Sequence, residues 1–197
     1  MPERAAVFLD YQNCWAAIRE VIDGVSTNTP RSGQFDPLGL ADLILTRKTQ
    51  AHSLVGVWTY RGRPDPRRDP RGHSANLRQS QAWETRGVHV RTRALQYSRD
   101  PDARPREKGI DVWLAVDMVG MALTDEFDVA ILGTGDTDLQ PAVETVLDAG
   151  KRIEVIGWAR GQTRRRLTIP GRNLWVNWID QDAYASIHDP TDYTAAR

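Results

Sequence analysis

At 197 residues, with 40% hydrophobic and 26% charged side chains, the chain suits one globular domain around a single buried core, spanning residues 1–197. Its formal net charge is zero and it holds one cysteine, Cys14, which excludes an intrachain disulfide framework or a thiolate metal site and suits a reducing compartment. No apolar run approaches the roughly 18 residues of a spanning helix, and Asp10 breaks the short apolar start of MPERAAVFLDYQN; a soluble cytoplasmic protein with no membrane partner is expected.

Ala5–Leu9 reads as a buried strand and Asn13–Ile22 as a helix with apolar residues at helical spacing. A polar loop is expected over Asp23–Gln34, and then Asp36-Pro37 forms an N-cap with proline in the first turn, opening a helix over Leu38–Leu45. Leu54–Tyr60 is the second strand, and the stretch RGRPDPRRDPRG (Arg61–Gly72) carries too many prolines to suggest regular structure. Ser74–Arg86 is a predicted helix and Val88–Arg93 a third strand. A second basic loop over Ser98–Lys108 leads to a helix over Ile110–Leu123. Val129–Leu132 is the fourth strand, Gln140–Ala149 the next helix, and Arg152–Trp158 the fifth strand. The tail, NLWVNWIDQDAYASIHDP, suggests a short strand, a last helix and a frayed end. Strands alternating with helices make this an α/β chain: a three-layer sandwich around a mostly parallel central sheet.

Open parallel sheets bind ligands beyond the carboxyl ends of their strands. Asp10 follows the first strand there, and Asp136 and Asp138 of ILGTGDTDLQP follow the fourth. Asp111, in the first turn of the Ile110–Leu123 helix, can reach the same crevice, whereas Asp117 lies roughly 120° away around the axis and reads better as solvated or arginine-paired. Each acid also has a local explanation. Asp10 can end a strand by bonding to the next turn, Asp111 can offset a helix dipole, and Asp138 or Thr137 can cap the Gln140–Ala149 helix. One cap does not account for both Asp136 and Asp138. Carboxylates gathered within about 4 to 6 Å raise one another's pKa, and a shared cation is the economical remedy. An all-oxygen set suits Mg²⁺ or Mn²⁺, and His52, His73, His89 and His188 show no ligand spacing. Carboxylate-held Mg²⁺ or Mn²⁺ is suited to phosphodiester hydrolysis. Asn13 and Thr134 are placed to orient a phosphate or water, and Lys108 to neutralise phosphate charge.

Two stretches concentrate arginine: Arg61–Gly72 with five against two Asp, and Arg160–Arg172 with five and no acid. Arg61, Arg164 and Arg165 are the candidate backbone contacts. Because only three of the 26 basic residues are Lys, a compositional bias toward arginine explains the patches equally well. Trp58 or Trp158 can stack on a base, although tryptophans in strands more often belong to the core.

Three blocks, FLDYQN (Phe8–Asn13), KGIDVWLAVDM (Lys108–Met118) and LGTGDTDLQP (Leu132–Pro141), together resemble the signatures of NYN domains, the PIN-like nucleases that include LabA-type bacterial proteins. The resemblance covers about Ala5 to Trp158, leaving 159–197 as an extension that completes the domain. It implies a PIN-like strand order 3-2-1-4-5 and metal-dependent cleavage of RNA, single-stranded or structured; the sequence leaves the oligomeric state open, a homodimer included. Asp10, Asp111, Asp136 and Asp138 match the family's acids and Asn13 its usual companion. The chain departs from the pattern at Leu139, where an aromatic is common, and at Thr134, where Ser is usual; neither change removes an acid. Two rivals remain: a catalytically weak RNA-binding or regulatory module of the same type, and a haloacid-dehalogenase-type phosphatase. The latter needs an acid where this chain has Gln12. No Gly-x-Gly-x-x-Gly follows the first strand, which argues against dinucleotide binding.

Overall fold

The computed structural model describes residues 1–23, 31–100 and 103–195. Residues 24–30 of the expected polar loop, 101–102 of the second basic loop and the last two residues of the tail lie outside that description. Within it, β1 (Glu3–Asp10), β2 (His52–Arg63), β3 (His89–Ala94), β4 (Val129–Gly133) and β5 (Arg152–Arg160) form a parallel sheet in the order β3-β2-β1-β4-β5, as the resemblance implies. Beyond β5, β7 (Trp175–Ile179) runs parallel to its first part, and β6 (Thr163–Arg165) folds back antiparallel on its end.

The side-chain period of two assigns each strand residue to a layer. Ala5, Val7 and Leu9 enter one core, packed by α1 (Tyr11–Ile18), α2 (Pro37–Thr46), Trp83 of α3 (Pro70–Glu84) and α6 (Gln181–Ile187). Ala6 and Phe8 enter the other, packed by α4 (Ile110–Leu123) and α5 (Gln140–Asp148). A strand covered on both faces reads as one continuous apolar run. Phe8 stacks on Trp58 with ring centroids 5.3 Å apart and meets Phe127 edge-on. Trp58 and Trp158 are 8% and 3% exposed, each in one core; the base-stacking expectation for them is overturned, because both face a helix layer.

The arginine-proline stretch is more regular than expected. β2 continues to Arg63, pairing Arg61, Gly62 and Arg63 with Thr92, Arg93 and Ala94 of β3. Pro70 already opens α3, with Asp69 accepting a hydrogen bond from the Gly72 N–H at 2.7 Å. Only 64–69 is irregular. Proline at the start of a helix has no N–H to withhold, so its presence does not forbid the helix. The first helix is shorter than expected, and its last turn, Arg19–Asp23, widens to π geometry. Asp36 does cap α2, accepting from the Leu38 N–H at 3.2 Å. Asp117 is paired, receiving the Tyr60 hydroxyl at 2.9 Å and Arg91 Nε at 3.4 Å. No helix among the described residues is long and apolar enough to cross a membrane.

Candidate active site

β1 and β4 are hydrogen-bonded neighbours with Leu9 opposite Gly133, so Asp10 and Thr134 leave the sheet side by side. β2 lies on the other side of β1, with Tyr60 opposite Asp10. Arg61 therefore stands just beyond the same edge. Short polar links tie the emerging loops together. Asp10 caps α1 by accepting the Asn13 N–H at 3.0 Å. Asn13 Oδ1 accepts the Gly135 N–H at 2.8 Å. Thr134 Oγ1 accepts the Asp136 N–H at 3.1 Å, and Asp136 Oδ1 accepts the Asp138 N–H at 3.0 Å. The expected cap by Asp138 or Thr137 is thus corrected: Asp136 caps the short 3-10 turn Thr137–Leu139, and α5 starts from Leu139 without a side-chain cap. The turn interposed before the helix takes the capping role away from both residues.

Asp10 is 7% exposed. Its pKa is raised to about 7, chiefly by burial; the Asn13 N–H opposes the rise, while the charges of Glu107, Asp136 and Asp111 add to it. Four carboxylates from three distant segments therefore share one electrostatic neighbourhood. Glu107 was not among the sequence candidates, although it directly precedes Lys108-Gly109. It is half-buried and accepts the backbone N–H of Gly62. Burial raises its pKa, the Gly62 bond and Arg61 lower it, and Asp111 raises it. A Cβ on Gly62 would come within 2.2 Å of Leu95 and 2.9 Å of Glu107, so glycine is needed for this approach.

The remaining candidates are spread more widely. Asp138 is exposed and borders a shallow apolar groove with Asp111. Lys108 is exposed beside Gly109, whose φ of 72° sets the turn into α4. Arg61 is not a free surface arginine. Its guanidinium lies 5.0 and 5.1 Å from the Tyr11 and Trp83 rings, its Nη1 donates to Gln79 at 2.7 Å, and its Nε is buried without a hydrogen bond. Strand alternation separates Arg164 and Arg165: the first lies 5.1 Å over the Trp178 ring, while the second pairs with Glu20. A Cβ on Gly135 would lie 3.6 Å from Arg165 Nε, which brings Arg165, and not Arg164, beside the acidic loop.

A cleft of about 960 Å³ opens next to Glu107, with Arg31, Arg61, Arg71, Arg104 and Arg106 on its walls. The chain's own tail lies across it. Arg31 pairs with Asp192 at 2.9 Å, Arg71 Nη2 donates to Thr194 at 3.1 Å, and Arg78 Nε donates to the Tyr193 carbonyl at 2.8 Å. The basic wall thus joins the acidic cluster at the Arg61–Glu107 pair of charges.

Among the described residues, no three His, Cys, Asp or Glu side chains form a ready-made cation cage. The chemistry of the set nevertheless suits a hard divalent ion: it is all oxygen, it draws on Asp10, Glu107, Asp111 and Asp136, and the charge of its most buried member, Asp10, is disfavoured first by burial and then by the neighbouring acids.

The family model for the NYN domain matches residues 4–168. Among solved structures, the fold resembles a protein of unknown function from Vibrio parahaemolyticus, 21% identical, with a TM-score of 0.50 over 79% of this chain and 81% of that one. No curated protein matches the chain.

Proposed function

Because this chain belongs to the NYN domain family, within the PIN-like nuclease superfamily, we propose that it is a ribonuclease dependent on Mg²⁺ or Mn²⁺. The observation that carries the reading is the buried Asp10, whose charge is opposed by Glu107, Asp111 and Asp136 at once. Asp10, Asp111 and Asp136 would hold the cation, with Glu107 and Asp138 contributing directly or through water. When bound, such an ion lowers the pKa of a coordinated water and offsets charge on the phosphate. Asn13 holds the two acid-bearing loops together. Arg165 and Lys108 meet phosphate beside the acids, and the arginine-walled cleft carries the strand away from them.

Purified protein is incubated with labelled single-stranded and hairpin RNA in Mn²⁺, Mg²⁺ or EDTA, with Asp136→Asn in parallel. Cleavage with metal, lost in EDTA and in the variant, is expected; cleavage unchanged in Asp136→Asn rejects the assignment. A second reading, an RNA-binding module with weak or no catalysis, draws on the lack of a ready-made cage among the described residues. Binding without cleavage in every metal would establish it instead.

A further inference from the structure

Helix α4 shows solvent an apolar stripe that no part of the nuclease reading uses. Val112, Val116 and Leu123 are 59%, 62% and 68% exposed. Together with Ala115, Val119 and Gly120 they occupy one side of the helix at i, i+3, i+4, i+7, i+8 and i+11. Isolated exposed apolar residues are ordinary, but a contiguous stripe of them on one helix marks an interaction surface.

The order of sizes along the stripe selects the partner. Reading inward from either end gives a large residue, a small one and a large one: Val112, Ala115, Val116 from one side and Leu123, Gly120, Val119 from the other. A two-fold interface requires each patch to complement itself, residue i meeting j while j meets i. An antiparallel pair of α4 helices crossing between Val116 and Val119 meets that requirement, with Val112 against Leu123 and Ala115 against Gly120. A Cβ on Gly120 would touch nothing within 4 Å, so that position is open for a neighbour, and small residues there allow interaxial distances near the short end of about 8 to 10 Å.

Charge agrees with the same register. Exposed Lys108 and Arg93, which donates to the Gly109 carbonyl, lie at the amino end of α4, and Asp125 and Glu126 follow its carboxyl end. Lys108 lies eight residues before Val116 and Glu126 seven after Val119, so an antiparallel pair brings the basic end of one helix near the acidic end of the other. Antiparallel helices also oppose their dipoles favourably. Asp111 lies at the edge of the stripe, toward the acid cluster. We infer that α4 is the two-fold interface of a homodimer of this chain, with the two acid clusters about 20 Å apart along the helix pair.

Sedimentation velocity of the full chain over a concentration series tests this. Twice the 22.2 kDa chain mass is expected at micromolar protein. Val116→Glu places two carboxylates at the crossing and weakens association by about a hundredfold or more, whereas Val55→Glu, on a different exposed surface, leaves it unchanged. Circular dichroism checks that Val116→Glu is folded; Leu123→Glu, at another exposed position, gives an independent reading. Lys108→Glu or Glu126→Lys alone weakens the dimer severalfold, and the double exchange restores it. A wild-type chain that stays monomeric overturns the inference, as does a dimer indifferent to Val116→Glu and Leu123→Glu. Failure of the double exchange to restore association rejects the antiparallel register. An RNA oligonucleotide protecting α4 on a monomer would assign the stripe to substrate instead.

Discussion

Asn13 Oδ1 accepts the backbone N–H of Gly135 at 2.8 Å, across 122 positions of sequence. This one side chain fixes the distance between the loop that follows β1 and the loop that follows β4, and so between Asp10 and Asp136. Asn13→Ala should lower the RNA cleavage rate by about 10- to 100-fold through loosened positioning, while costing only about 1 kcal/mol of stability. Kinetics and thermal unfolding on the same preparation separate the two effects; a rate that falls only in proportion to lost folded protein refutes the positioning role.

The raised pKa of Asp10 makes metal-free stability depend on pH in a definite direction. Its folded value of about 7 exceeds the ordinary 3.8, so between these values the folded state binds more protons than the unfolded one. The contribution is complete below about pH 4 and disappears as pH rises through about 7. Unfolding in EDTA should therefore show stability falling from pH 5 to 8, and Asp10→Asn should flatten that slope. Added Mn²⁺ should stabilise wild type more at pH 8 than at pH 5. An identical slope in Asp10→Asn contradicts the assignment.

Glu107→Gln keeps an oxygen for the Gly62 N–H but removes one charge from a crowded set. Cleavage should drop by about tenfold or more, while the midpoint of unfolding holds or rises, because repulsion among the carboxylates is relieved. A loss of stability without loss of activity would restrict Glu107 to a structural role.

Arg165→Ala should reduce RNA affinity and lower the slope of log K against log salt by about 1, the mark of one lost phosphate contact. Arg164→Ala, whose guanidinium covers Trp178, should leave the slope unchanged. Equal effects of the two would show that composition, not geometry, governs binding.

Away from the site, Lys48 pairs with Glu154, which is 8% exposed, and Asn177 Nδ2 also donates to Glu154 at 2.8 Å. This group joins the turn after α2 to β5 and β7. Lys48→Met leaves a buried carboxylate without its cation and should cost about 3 kcal/mol; denaturant unfolding measures it. A change within experimental error would mean that water reaches Glu154.

The parallel sheet, its helices and the acids at strand ends were legible because their signals are local. Apolar runs such as AAVFL and VAIL mark doubly covered strands, and Ile110–Leu123 has the right helix boundaries in its spacing alone. Glu107 was missed because a residue in a connecting loop carries no periodicity. Its neighbour Lys108 was singled out from the same block, which was the available signal. Arg61 looked like a loop arginine because Pro64, Pro66 and Pro70 masked the continuation of β2 and the early start of α3.

Local pattern sufficed to identify the apolar strands and the acids that follow them, since side-chain period and turn chemistry act over a few neighbouring residues. It took the folded arrangement to bring Asp10, Glu107, Asp111 and Asp136 into one field, to set Arg165 beside Gly135 while Arg164 turns away, and to close off Trp58 and Trp158 in the cores. Those relations follow from the order in which strands pair. Hydrogen bonding across the sheet brings together atoms that no local pattern in the chain connects.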